Sequence, residues 1–221
     1  MVRREEQPWE SRCTLLLDTR VGAHFGEGPD ASFERAVSAA ASASVHLSRR
    51  GYAVRFVTGS GPTILGSPAD DYSGAGADAE GLLLDALAVV VTDPHMSIAA
   101  ISATIRHAND GLLLAVLGEL SADDADQLIR ARHGMGTSVA LLCDGSDWHP
   151  DRKAQERHAN HSLQDVVGLL RGAGWIVAPI RRGVPLAETW RYLAHGVELP
   201  ISLPITDSPQ RSSSSAALSQ P

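Results

Sequence analysis

Positive charge, aromatic side chains and long apolar runs are all scarce in this chain of 221 residues. Lys and Arg number 19 against 26 Asp and Glu, and the formal net charge of -7 excludes the clustered basic surface that neutralises nucleic-acid phosphates. Aromatic residues make up 5%, and no basic residues alternate with the four tryptophans, so a base-stacking platform is also excluded. The longest apolar run, residues 82–91, is interrupted by Asp85 and falls well short of the ~20 residues that a membrane span needs. We therefore expect no nucleic-acid partner and no direct membrane contact.

Cysteine is scarce too, and the amino terminus lacks the apolar core of a secretory signal. Cys13 is predicted to begin the first strand and Cys143 to end a later parallel strand. A strand of about six residues is roughly 20 Å long, so the two sulfur atoms lie far beyond disulfide reach. Two buried thiols and no signal sequence predict a cytoplasmic protein.

Apolar strands alternate with helical patterns along most of the chain. The predicted strands are residues 13–18, 53–58, 112–117, 138–143 and 175–180. The predicted helices are residues 31–50, 78–91, 97–108, 121–133, 151–171 and 185–195. Several of these strands carry almost no polar side chains, which is typical of strands buried on both faces of a parallel sheet. The pattern predicts a doubly wound, mostly parallel α/β sheet with helices on both faces.

The domain boundary follows from a change in composition. Residues 1–198 are predicted to form one α/β domain. Residues 199–221 are rich in Pro, Ser, Thr and Gln, and they have too few apolar side chains to offset the entropy of ordering them, so they are predicted to be a disordered tail. Within the domain, residues 63–65 are a candidate short edge strand, and Asp30 is the candidate N-cap of the first long helix.

Acidic residues stand at the ends of three predicted parallel strands: Asp18, Glu119 and Asp144. Ligands of open α/β sheets bind at the carboxyl ends of the strands, and carboxylate oxygens are the ligands that Mg²⁺ and Mn²⁺ prefer. An aspartate after a buried strand also commonly caps the loop that follows it. The three residues are therefore either a candidate metal site or a set of loop caps.

The motifs of the common enzyme classes are missing. The sequence has no Gly-x-Gly-x-x-Gly after the first strand, no Gly-x-x-x-x-Gly-Lys-Ser/Thr loop and no Gly-x-Ser-x-Gly elbow. One enzyme hypothesis is left, a metal-dependent hydrolase that uses Asp18, Glu119 and Asp144 as metal ligands. His149 is its best candidate for a general base.

Residues 8–20 (PWESRCTLLLDTR), 26–34 (GEGPDASFE) and 46–52 (HLSRRGY) form a set that resembles the carboxy-terminal part of the domain of unknown function 58 family, in its actinobacterial version. The likeness extends over residues 2–197. That part of the family is similar to a von Willebrand factor A domain, so the resemblance implies the strand order 3-2-1-4-5-6. It also implies that the short edge strand at residues 63–65 is antiparallel, and that the three acidic residues converge on one crevice.

The resemblance further implies a departure at the metal site. Metal-ion-dependent adhesion sites of von Willebrand factor A domains carry Asp-x-Ser-x-Ser after the first strand, and the matching positions here are Asp18, Arg20 and Gly22. Arg20 places a cation where a hydroxyl ligand belongs. We expect Arg20 to pair with Asp18 or Glu119 and to replace the metal electrostatically, which makes this a degenerate adhesion site.

Relatives of this kind typically carry an amino-terminal membrane-anchored portion and are often encoded beside MoxR-type AAA+ ATPases. The resemblance therefore implies a non-enzymatic protein-interaction module, an adaptor for such an ATPase that needs no cofactor. Its predicted binding crevice consists of Asp18, Arg20, Glu119 and Asp144, with the loop of residues 21–29 as the rim. The Mg²⁺-dependent hydrolase and a scaffold that only holds an assembly together are the alternatives.

Overall fold

The computed structural model describes residues 12–62, 77–107, 110–132, 136–148 and 156–195. The strands are β1 Arg12–Leu17, β2 Ala53–Thr58, β3 Gly61–Pro62, β4 Leu112–Leu117, β5 Thr137–Cys143 and β6 Ile176–Ile180. The helices are α1 Ser32–Arg49, α2 Ala77–Val89, α3 Ile98–Arg106, α4 Ala122–Ala131, α5 Glu156–Gly172 and α6 Leu186–His195. The predicted tail at 199–221 and the candidate edge strand at 63–65 lie outside the described residues.

The described strands form one sheet in the order β3-β2-β1-β4-β5-β6. Five strands are parallel, and the two-residue β3 runs antiparallel to β2 at the edge. In the centre, Leu15 of β1 lies opposite Phe56 of β2 and Leu114 of β4. The predicted doubly wound α/β fold is confirmed. The strand order changes direction beside β1, and in such sheets this switch point is where ligands and partners bind.

Side chains of the sheet alternate between two cores, because neighbouring residues of a strand point to opposite faces. Helices α1, α2 and α6 cover the face that contains Leu15 and Leu17. Helices α3, α4 and α5 cover the other face, which contains Leu16 and Leu117. Both faces of β1 and β4 are therefore buried, which explains why these strands are apolar almost throughout.

Two helix starts differ in how they are capped. Helix α4 begins after Ser121, whose hydroxyl accepts from the Asp124 N–H while the Asp124 carboxylate accepts from the Ser121 N–H, as a capping box. Helix α1 begins after Ala31 without a side-chain cap. The prediction that Asp30 caps α1 is therefore wrong. Asp30 lies in a 3-10 turn, and its carbonyl accepts a hydrogen bond from the Trp148 indole at 2.5 Å.

Cys13 and Cys143 are free and buried, as predicted. Burial raises the pKa of the Cys13 thiol to about 12 and raises that of the Cys143 thiol as well. Among the helices of the described ranges, none combines the length and the apolar character that a bilayer crossing requires.

Candidate functional site

The loops that follow β1, β4 and β5 meet at the carboxyl edge of the sheet, where Asp18, Glu119 and Asp144 lie. Asp18 is 0% exposed and Asp144 is 4% exposed. Glu119 lies near both, because its main-chain carbonyl accepts from Arg20 at 3.2 Å and its carboxylate is beside Gly145. The structure thus places all four predicted crevice residues at one edge of the sheet.

The Asp18 carboxylate is surrounded by donors from the protein. Its Oδ1 atom accepts from the Arg20 backbone N–H at 3.0 Å, and its Oδ2 atom accepts from the Gly118 backbone N–H at 3.1 Å. The Arg20 guanidinium adds Nε at 3.1 and 3.2 Å from the two oxygens and Nη2 at 2.8 Å from Oδ2. A carboxylate has about four acceptor sites, so these five contacts leave little capacity for another ligand.

Arg20 connects the loop after β1 to the start of α4. Its side chain is 13% exposed, and Nη1 lies 3.5 Å from the Asp124 carboxylate. Burial alone would lower the pKa of Arg20, but the hydrogen bond and charge of Asp18 and the charge of Asp124 outweigh burial and raise this pKa. The expected pairing of Arg20 with Asp18 is confirmed.

Asp144 has partners of its own within the next loop. Its Oδ1 atom accepts from the Ser146 N–H at 3.1 Å and from the Ser146 hydroxyl at 2.5 Å. Its Oδ2 atom lies 3.7 Å from Arg181 Nη2. Burial, followed by the charge of Asp144, raises the pKa of Asp147. The contacts of Asp144 with Ser146 and Arg181 are those of an aspartate that stabilises its own loop.

The predicted metal ligands do not fit a divalent cation in this arrangement. Asp18 is held by a guanidinium and two backbone donors, and Asp144 is held by Ser146 and Arg181. In the part of the chain that the structure describes, no three His, Cys, Asp or Glu side chains come together as a possible metal site. Mg²⁺ needs oxygen ligands in near-octahedral geometry, and these carboxylates already face cations. His149, the candidate general base, lies outside the described residues.

A small cavity lies between two of the loops at the carboxyl edge. The cavity between the Gly118–Leu120 and Cys143–Gly145 segments has a volume of about 10 Å³. That is about the space of a single water molecule. The loops that carry Glu119 and Asp144 are therefore closely packed against each other.

The predicted rim loop packs tightly onto the end of β4. The Glu119 backbone N–H donates to the Ala23 carbonyl at 2.8 Å. Gly118 is required there, because a Cβ atom at this position would lie 2.4 Å from the Ala23 carbonyl oxygen. The close approach of two backbones fixes the loop against the sheet.

His24 holds the same loop from the other side. Its Nε2–H donates to the Asp18 carbonyl at 2.9 Å, and its Nδ1 atom faces the Ser32 hydroxyl at 3.3 Å. A carbonyl can only accept, so the proton is assigned to Nε2. Burial lowers the pKa of His24, which favours the neutral ring that this arrangement needs.

Three exposed valines lie in or just before the two loops that are joined at the carboxyl edge, and no prediction included them. Val21 is 46% exposed, and its N–H lies 3.4 Å from the Asp93 carbonyl. The Asp93 N–H donates to the Thr19 carbonyl at 2.7 Å, which ties the α2–α3 loop to the loop after β1. Val89, the last residue of α2, is 77% exposed, and Val91, in the loop that follows, is 73% exposed. Three successive valines, residues 89–91, beyond the buried part of α2 were the available sign of this surface.

A second buried polar cluster lies at the opposite, amino edge of the sheet. The Thr14 hydroxyl donates to the Asp110 carboxylate, and Arg55 Nη2 lies 3.0 Å from the Thr14 hydroxyl and 3.5 Å from Asp110. Nearby, Arg132 Nε donates to the Ser138 hydroxyl at 2.8 Å. This cluster joins β1, β2 and the segment before β4, and nothing in the local sequence around each residue indicates it.

Comparisons of the chain with protein-family models, with curated proteins and with solved structures found no match.

Proposed function

We propose that this chain is a non-enzymatic protein-interaction module that binds a partner through its carboxyl-edge surface. We define this surface by the exposed Val21, Val89 and Val91 around the crevice residues Asp18, Arg20, Glu119 and Asp144. The observation that carries the proposal is the occupation of the Asp18 carboxylate by Arg20, Gly118 and the chain's own backbone. A carboxylate held in this way stabilises the conformation of its loop and has little capacity left to bind a metal or a substrate.

The exposure of the valines supports a binding role for this surface. Single exposed apolar side chains are common, but several of them in loops that are hydrogen-bonded to each other favour a partner. The loops that present them are anchored by backbone hydrogen bonds to Thr19 and Asp93. A preorganised surface loses little conformational entropy on binding, which increases affinity.

The proposed partner is a MoxR-type AAA+ ATPase, for which the chain serves as an adaptor in the cytoplasm. The support for this partner is the family resemblance of residues 8–20, 26–34 and 46–52. The buried, unpaired state of Cys13 and Cys143 suits a reducing compartment. The proposal requires no cofactor.

The test is direct binding of the purified chain to a purified, nucleotide-free MoxR-type ATPase from the same organism, measured by biolayer interferometry with Mg²⁺ and with EDTA. We expect equal binding in both buffers. Val21→Asp and Val91→Asp each introduce a charge into the contact and are expected to weaken binding by about tenfold or more. Leu82→Asp is the matched control, because Leu82 is 50% exposed in the middle of α2, outside the loops of the carboxyl edge.

Three outcomes would contradict the proposal. Equal affinity of Val21→Asp, Val91→Asp and wild type would remove the carboxyl-edge surface from the interaction. Binding that requires Mg²⁺ would restore the acidic residues as an ion site. No binding at all would reject this ATPase as the partner and would leave the scaffold hypothesis in its place.

A further inference from the structure

The face of the sheet covered by α1 and α6 contains an apolar groove that the proposed function does not use. Its volume is about 620 Å³, within the range of 300–1,000 Å³ that is typical of small-molecule sites. Leu112 and Val139 lie on its floor, and both are only half-buried although they belong to the central strands β4 and β5. Central strands of a doubly wound sheet are normally covered on both faces.

Two hydrogen bonds link α1 to the α6 region beside this groove. The Arg35 guanidinium donates to the Val184 carbonyl near the start of both helices. Further along, the Trp190 indole N–H donates to the Ser42 hydroxyl at 3.2 Å, and both residues line the groove. Leu112 and Val139 lie toward the amino edge, near the starts of β4 and β5, where they are only half-buried.

Basic side chains lie at the open end of the groove. His46 and Leu47 lie four and three residues before Arg50, so the three are on one side at the end of α1. Arg191 lies on α6. None of the described residues that line the groove is acidic, although the chain as a whole carries a net charge of -7. An apolar interior with a cationic mouth is complementary to a molecule with an apolar chain and an anionic end.

We propose that this groove binds an anionic amphiphile of the long-chain carboxylate class. The hydrocarbon chain lies over Leu112, Leu114 and Val139, and the carboxylate lies at the mouth beside Arg50 and His46. A guanidinium binds a carboxylate through parallel N–H donors, so Arg50 selects the sign of the ligand's charge and the floor supplies the apolar contact area.

The test is isothermal titration of the full chain with dodecanoate below its micelle-forming concentration. We expect one molecule per chain. Arg50→Gln removes the charge at the mouth and is expected to weaken binding about tenfold, as for a lost charged hydrogen bond. Arg49→Gln is the matched control, because Arg49 is the preceding residue but faces Glu80 at 3.6 Å and does not line the groove. Ala187→Trp places an indole in the groove from an exposed helix position and is expected to abolish binding.

Other outcomes would overturn the proposal. Equal affinity for dodecyltrimethylammonium, or equal loss in Arg50→Gln and Arg49→Gln, would reduce the interaction to unspecific apolar contact. Full binding by Ala187→Trp would place the ligand elsewhere. Apolar residues alternate at 197, 199, 201, 203 and 205, soon after α6. Binding of dodecanoate by a Leu199→Asp variant but not by the wild type would also overturn the proposal, because it would identify the chain's own segment as the occupant of the groove.

Discussion

Each edge of the sheet holds a buried aspartate paired with an arginine, and the two pairs are built differently. At the carboxyl edge, Asp18 is 0% exposed, and its arginine is two residues away along the chain. At the amino edge, Asp110 is 8% exposed, and Arg55 reaches it from a different strand at 3.5 Å. Thr14, on β1, donates to the same carboxylate.

The difference shows what each pair accomplishes. Asp18 organises a loop locally, since it accepts from backbone N–H groups of Arg20 and Gly118. Asp110 joins distant parts of the chain and has no local signature. A buried charge requires a partner at either edge, and the carboxyl-edge pair lies among the loops that form the proposed binding surface.

Replacing each aspartate by alanine should separate the two edges most strongly. Asp18→Ala leaves the Arg20 guanidinium, which is 13% exposed, without its main partner, so we expect a loss of about 3–5 kcal/mol in the free energy of unfolding. Asp110→Ala should cost about 1–3 kcal/mol, because the Arg55 side chain is 31% exposed and can turn to water. Urea denaturation followed by circular dichroism measures both. A larger loss for Asp110→Ala would reverse the comparison.

The second prediction concerns the backbone contact at the carboxyl edge. Gly118→Ala should cost up to about 3 kcal/mol in the free energy of unfolding, because its Cβ would lie 2.4 Å from a carbonyl oxygen that cannot move freely. Gly22→Ala is the control in the same loop, since nothing lies within 4 Å of its added Cβ. Its effect should stay within about 0.5 kcal/mol. Equal stability of the two variants would show that the loop is not packed against β4.

The smallest expected effect is a dependence on pH that is confined to the carboxyl edge. The pKa of His24 is lowered in the folded chain from its ordinary value of 6.5, so the unfolded chain binds the proton more readily. The stability contributed by neutral His24 is complete above pH 6.5, the ordinary pKa, and is lost as the pH falls through the lowered pKa of the folded chain. His24→Gln should flatten the slope of the urea midpoint in this range. An unchanged slope would assign the titration to another group.

Much of the fold was predictable because the core strands are apolar on both faces. β2 and β4 have the predicted bounds, β5 and β6 differ by one residue at one end, and β1 is shifted by one residue toward the amino terminus. The short antiparallel strand was expected at 63–65, and the described one is Gly61–Pro62. This agreement has a physical cause. A strand that buries both faces is almost entirely apolar, so the change to polar residues marks its ends clearly.

The contacts between distant residues were not predictable in the same way. The pairing of Arg20 with Asp18 was one of two pairings expected from the resemblance, but the Gly118 N–H that completes the site comes from 100 residues away. The N-cap of α1 was misassigned to Asp30 because a 3-10 turn precedes the helix. The groove between α1 and α6 is bordered by the Trp190–Ser42 contact, which no local pattern indicates.

Prolines occupy both outer strands of the sheet, Pro62 in β3 and Pro179 in β6. Proline has no backbone N–H, so within the described strands neither border offers an uninterrupted row of donors to an added strand. Many adaptor domains bind a peptide by extending their sheet, and the described strands are poorly suited to that mode. The proposed recognition through side chains and loops agrees with this, and prolines in outer strands are a common protection against edge-to-edge aggregation.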